Sequence, residues 1–194
     1  LHEADNKAGP FVLPSLVRSV DSPQLKTTVN AYEIYQEIDH SIVADMCQWI
    51  RENDKNLYNS AVGSLAANRK LRPIFIQKKK PVDQYVWLHK TLKLRTSDTV
   101  GEHLFQVWFM KGQQEVLKDF CDGMEIEHDG AGQVEGDLPK ELAADKLTST
   151  VDTLVGPHDP KLITLYLRVF NLQRPGGWDS LSEILSSDER LKLS

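Results

Sequence analysis

Only one stretch of this chain gathers residues that could do chemistry together: Glu127-His128-Asp129-Gly130-Ala131-Gly132-Gln133-Val134-Glu135-Gly136. An imidazole between two carboxylates is raw material for proton transfer. A glycine-rich backbone can turn N–H groups toward an anion. The spacing restricts both ideas. It matches neither the Walker pattern nor the dinucleotide fingerprint, and the acidic neighbours repel phosphate. The acids do not follow the twelve-residue calcium loop, and His128 with Asp129 supplies too few ligands for zinc. No metal and no cofactor is therefore expected. Glu127, His128, Asp129, Gly130 and Gly132 stand as the candidate site of an enzyme of unassigned reaction class, and a solvated loop or tight turn is the plainer reading.

The remaining histidines are scattered at His2, His40, His89, His103 and His158. Glu102-His103 lacks a second histidine four residues on, so the metalloprotease helix is absent. His40, near Glu37 and Asp39, would be an acid–base pair only if buried. No G-x-S-x-G elbow occurs. Cys47 and Cys121 lie in apolar, helix-like surroundings and read as buried thiols. Catalytic groups assemble from distant positions, so these absences weigh little against an enzyme.

A second constellation is basic. Arg69, Lys70, Arg72, Lys78, Lys79, Lys80, Lys90, Lys93 and Arg95 gather in a chain of net charge -5, with Tyr85 and Trp87 among them. Gathered in space they would suit nucleic acid or an acidic partner. Spread out they are solvated helix ends and a linker. The acidic total works against phosphate backbones and anionic membranes. It favours a protein partner over nucleic acid. No apolar run approaches the roughly 18 to 20 residues of a membrane span. A chain opening on Leu1 rather than Met implies an upstream segment removed or omitted, and the cytoplasm is the default compartment.

These residues must be positioned by helices. Residues 1–21, with Gly9, Pro10 and Pro14, read as an extended arm, and residues 22–194 as one helical domain. Ser22 before Pro23 is a helix start, followed by Leu25, Val29, Tyr32 and Ile34. Ile42, Val43, Met46, Trp49 and Ile50 make a second stripe, and Asp54 caps a third through Leu57 to Ala66. Ile74-Phe75-Ile76 is too short to separate strand from helical turn. A helix follows Pro81. From Ser97 or Asp98 the residues Val100, Leu104, Phe105, Val107, Trp108, Phe109 and Met110 make a helix apolar on most sides, expected at the centre. Gly112 marks a kink or break, and Gly123 a left-handed cap. Residues 125–138 read as a loop or small hairpin. Ile163, Leu165, Leu167 and Val169 alternate as a strand would, but Asp159-Pro160 is a helix start, and helix is preferred. Trp178, after Gly176-Gly177, is the tryptophan expected to be partly exposed.

The run Val107-Trp108-Phe109-Met110 through Leu117 to Phe120, then Met124 to Gly130, resembles a pattern in uncharacterised bacterial conserved proteins. So do Val151-Asp152, Tyr166-Leu167, Phe170 and Trp178. The resemblance covers about the C-terminal half, implies a helical fold, and carries no activity. The expectation is thus an all-α chain, a compact multi-helix orthogonal bundle around a central apolar helix. Its expected role is a non-enzymatic interaction or regulatory protein. The alternatives are an enzyme at 127–136 and a nucleic-acid-associated protein using 69–95.

Overall fold

Five of the ten described helices start where a polar side chain or a proline supplies what the first turn lacks. The structure, a computed structural model, describes residues 30–193. The expected arm at 1–21 and the helix start at Ser22 lie outside them. Asn30 is the N-cap of α1 (Ala31–Glu37), and its backbone N–H donates to the Glu33 carboxylate at 2.9 Å. Asp54 ends α2 (His40–Asn53) and opens α3 (Lys55–Asn68), accepting from the Leu57 N–H at 3.0 Å. Prolines stand first in α4 (Pro73–Gln77) and α5 (Pro81–Leu92), where a missing N–H costs nothing. A 3-10 turn (Arg95–Ser97) leads into α6 (Asp98–Gly112), and α7 (Gln114–Met124) follows after the break at Gln113. Then come α8 (Ala144–Leu154), α9 (Pro160–Leu172) and α10 (Asp179–Ser187). Asp159 accepts from the Lys161 N–H at 2.8 Å, so α9 starts as its sequence predicts. The described residues hold ten α-helices and no strand, an all-α fold. Both ambiguous stretches, 74–76 and 162–170, are helical.

α9 is buried around most of its circumference. Ile163, Thr164, Leu165, Tyr166, Leu167, Val169, Phe170 and Asn171 are all inside. A helix packed on every side must satisfy its own polar groups. Thr164 does so by donating to the Pro160 carbonyl at 2.7 Å. α6 occupies the middle of the contact pattern, packing against α1, α2, α3, α5, α7 and α9. It buries one stripe, Gly101, Leu104, Phe105, Trp108 and Phe109, while Val107 and Met110 are half-buried.

An aromatic chain joins these helices. Tyr166 lies 5.4 Å from Phe109 of α6 and 5.3 Å from Phe120 of α7, centroid to centroid. Phe170 lies 5.0 Å from Phe120 and stacks at 4.9 Å on Trp178. The expected exposure of Trp178 is wrong: it is 2 % exposed. Asn171 Oδ1 accepts its backbone N–H at 2.8 Å, and its indole N–H donates to the Pro139 carbonyl at 2.9 Å. The glycine pair that suggested an open turn instead bends the chain back onto Phe170.

Gly123 is also not the left-handed cap. α7 runs through it, and Glu125 takes the positive φ of 53°. A Cβ on Gly123 would stand 2.6 Å from Thr150 Cγ2, so the glycine is there for the approach of α8. The possible hairpin at 125–138 reduces to one antiparallel bridge between His128 and Val134.

Phe170 is fully packed among Phe120, Tyr166 and Trp178. Phe170→Ala is expected to lower stability by about 3–5 kcal/mol through lost burial plus a cavity. A urea unfolding curve measures it, with the midpoint falling and the slope unchanged.

Candidate functional site

The Gly-rich stretch folds as a self-capped turn docked on α7. Asp129 Oδ1 accepts from the N–H groups of Ala131 (2.9 Å) and Gln133 (3.1 Å). His128 Nδ1 accepts from the N–H groups of Gly130 and Gly132, both at 3.1 Å. With Nδ1 accepting, the ring proton sits on Nε2 and is donated to Asp122 Oδ1 at 2.9 Å. Both ring nitrogens are thus occupied in holding the turn. Gly130 and Gly132 both have positive φ, and Gly132 (φ 88°) sits against α7. A Cβ there would fall 2.4 Å from both Leu117 Cβ and the Lys118 backbone nitrogen. Only glycine fits that seat. The turn also accepts from Cys121 Sγ through the Gly132 carbonyl at 3.5 Å.

Beside the turn lies an open groove of about 480 Å³ lined by Glu125, Glu127, Glu135, Asp137, Glu141 and Lys146, among others. Glu127 reaches it, whereas His128 and Asp129 do not line it. Lys146 pairs with Glu125 at 2.5 Å, and this ammonium is the main reason the Glu125 carboxyl is held below its usual range. Among the described residues no group of three or more histidines, cysteines, aspartates or glutamates is placed to hold a metal ion.

The other titratable groups are structural. His40 does not engage Glu37 or Asp39 but pairs with His89, Nδ1 to Nδ1 at 3.3 Å. His89 donates from Nε2 to the Tyr35 carbonyl at 3.0 Å, so its Nδ1 is the acceptor for His40. Burial pushes the His89 imidazole below its ordinary 6.5, although the bond to the Tyr35 carbonyl opposes this. Cys47 and Cys121 are unpaired and buried, as their surroundings suggested. Burial raises their thiols to about 12 and about 11, which leaves neither a ready nucleophile.

The basic segment is partly brought together. Arg69 caps the end of α3, Arg72 precedes α4, Lys78 follows it, and Lys80 precedes α5. α4 packs on both α3 and α5, so Arg69, Lys70, Arg72, Lys78, Lys79 and Lys80 share one corner. Lys90 stands ten residues along α5, about 15 Å away at 1.5 Å per residue, and does not belong to it. No carboxylate among the described residues pairs with any of the six.

The same corner carries residues the sequence reading passed over. Leu71, Ile74, Phe75 and Val82 are 42, 46, 60 and 67 % exposed. They are the exposed large hydrophobic side chains among the described residues; three fall between the basic ones and Val82 two residues after the last. The signal was available. From Lys55 to Val82 there is no acidic residue, and prolines at 73 and 81 confine the Ile74-Phe75-Ile76 triplet to a single turn. One turn cannot hide three consecutive side chains. Ile76 goes inward, at 2 % exposure, and Ile74 and Phe75 stay out.

The corner is firmly held. Buried Gln84 donates to the carbonyls of Gln77 (3.1 Å) and Lys79 (2.8 Å) and accepts from the Tyr58 hydroxyl (2.7 Å). At the other side, α3 closes in a Schellman motif, with the Leu71 N–H on the Ala66 carbonyl and the Lys70 N–H on the Ala67 carbonyl. Its left-handed position is usually glycine; here it is Lys70, at φ 56°.

Two stability measurements check these assignments. Gly132→Ala is expected to cost about 2 kcal/mol or more, because a Cβ meets backbone and cannot be relieved by a rotamer; chemical denaturation reads it. His89 is held neutral by the fold, so the unfolded chain binds more protons as pH falls. Its contribution to stability is complete above pH 6.5 and is lost as pH drops from there through the lowered native value. Thermal melts of the protein and of His89→Gln across this range are expected to converge toward acid pH.

Compared with known proteins, the chain is matched by no family model, no curated protein and no solved structure.

Proposed function

We propose that this chain is a non-enzymatic binding protein that works through the corner at 69–82. One observation carries the reading: the exposed large hydrophobics of the described residues and six cations without a carboxylate partner among them fall within residues 69–82 of a net acidic chain. Exposed apolar side chains contribute little to folding, and grouped together they mark a place of contact. Unpaired lysines and arginines around them select an anionic partner and steer its approach. Lys70 adds to this. A non-glycine residue in left-handed conformation costs about 1 kcal/mol, so a cation stands where glycine would be more stable.

The enzyme alternative has less to draw on. Its named imidazole has both nitrogens committed to backbone and to Asp122, and neither thiol is ionised near neutral pH. The cytoplasm remains the compartment we propose, since both cysteines are unpaired.

Immobilised heparin is a convenient polyanion for the test. The protein is expected to be retained at low salt despite its charge of -5, and the triple variant Lys78→Gln, Lys79→Gln, Lys80→Gln to elute at clearly lower salt. Passage of the unmodified protein straight through the column at low salt would sink the reading.

A further inference from the structure

We infer that the anionic partner of the 69–82 corner is a phospholipid bilayer surface, on which Leu71, Ile74, Phe75 and Val82 enter the interface while the surrounding lysines and arginines meet the headgroups. This rests on the binding role proposed above and names the partner.

Shape comes first. From Ala67 to Asp83 every residue but Ile76 is exposed, so the corner protrudes. Neither of the two best-defined grooves among the described residues opens on it: one lies beside the Gly-rich turn, the other between α3 and α6. A protein helix would need a groove to receive it. A protruding apolar tip needs only a soft apolar phase to enter.

Chemistry points the same way. Aliphatic Leu71, Ile74 and Val82 find no counterpart on a phosphate backbone, which would use the cations and at most stack a base on Phe75. A bilayer uses both sets, hydrocarbon for the four apolar side chains and anionic headgroups for the six cations. α4 has five residues, too short to reach beyond the interface.

Charge distribution fixes the orientation. Without the six corner cations the chain carries -11. An anionic surface therefore repels the rest of the molecule in net terms, which makes the corner the favoured point of approach. The Gln84 clamp and the Schellman turn hold the tip in shape before contact, so binding does not require the segment to fold.

Co-sedimentation of the full chain with vesicles tests this. With phosphatidylcholine containing about a third phosphatidylglycerol, the protein is expected in the pellet at low salt, and with pure phosphatidylcholine in the supernatant. The triple lysine-to-glutamine variant is expected to lose about tenfold or more in partition. Ile74→Ser with Phe75→Ser is expected to lose several-fold, with a cooperative thermal melt retained and its midpoint lowered only modestly, because both residues are about half exposed. Failure of the unmodified protein to pellet with the anionic vesicles overturns the inference. So does pelleting that the double serine variant leaves unchanged, since that is adsorption of charge alone. Retention on heparin without vesicle binding overturns the bilayer and leaves a soluble polyanion as partner, whereas failure in both removes the binding reading as well. Equal-strength binding to a short oligonucleotide, unaffected by the serine changes, assigns the corner to nucleic acid and overturns the bilayer.

Discussion

A helix buried on nearly all sides leaves its neighbours few choices. α9 places Tyr166 and Phe170 where α6, α7 and the Trp178 turn must all supply aromatic faces, within about 4.9 to 6.0 Å between centroids. Such offset and edge-on pairs add specificity to the burial they accompany. The polar groups of α9 are satisfied without leaving the core. Thr164 returns to its own helix, and Asn171 accepts from Trp178 while donating to the Ser182 hydroxyl at 3.3 Å. Arg168, the half-buried charge on the helix, reaches Glu37 of α1 at 2.5 Å. Through that pair and the aromatic chain, the first described helix and the last are tied to one element.

The 69–82 corner is the counterpart of this core. There the chain has apolar residues but no depth in which to bury them. Two prolines limit α4 to five residues, and its Ile76 is the single anchor. Gln84 then does what packing cannot, holding the Gln77–Lys79 carbonyls from inside. A buried amide with all of its visible contacts made is a rigid support for an exposed tip. The strained Lys70 and the solvated Phe75 both depart from what stability alone favours, and such departures gather at places kept for contact.

Most charges of the described residues are interleaved in ion pairs, and the corner is the exception. The cations of the corner pair with no carboxylate among the described residues, while Glu125, Glu127, Glu135, Asp137 and Glu141 gather around the groove beside the Gly-rich turn. That turn drew first attention in the sequence because histidine, acids and glycines are the usual parts of catalytic and phosphate loops. In the structure the same residues close on one another. The imidazole ties backbone to Asp122, Asp129 caps its own turn, and Gly132 makes room for α7. Their chemistry is spent on local geometry.

The sequence by itself determined the helices. Asp54, Pro81 and Asp159-Pro160 mark starts through local hydrogen bonding and fixed φ, and stripes of 3.6-residue period follow them, so the all-α class was legible, although 74–76 was not. Local signals failed where the answer depended on how the chain folds back on itself. Gly123 looked like a cap and is a contact with Thr150; Trp178 looked exposed and is stacked on Phe170; His128 looked available and is bound on both nitrogens. Gly123 and Trp178 depend on how distant segments pack, and His128 on how its own turn folds, since Gly130, Gly132 and Asp122 lie within six residues of it but meet it only in three dimensions. Exposure is of the same kind. Ile74, Phe75 and Ile76 are equally apolar as letters, and only the packing of α4 against α3 and α5 decided which one the core could take and which two the corner presents to solvent.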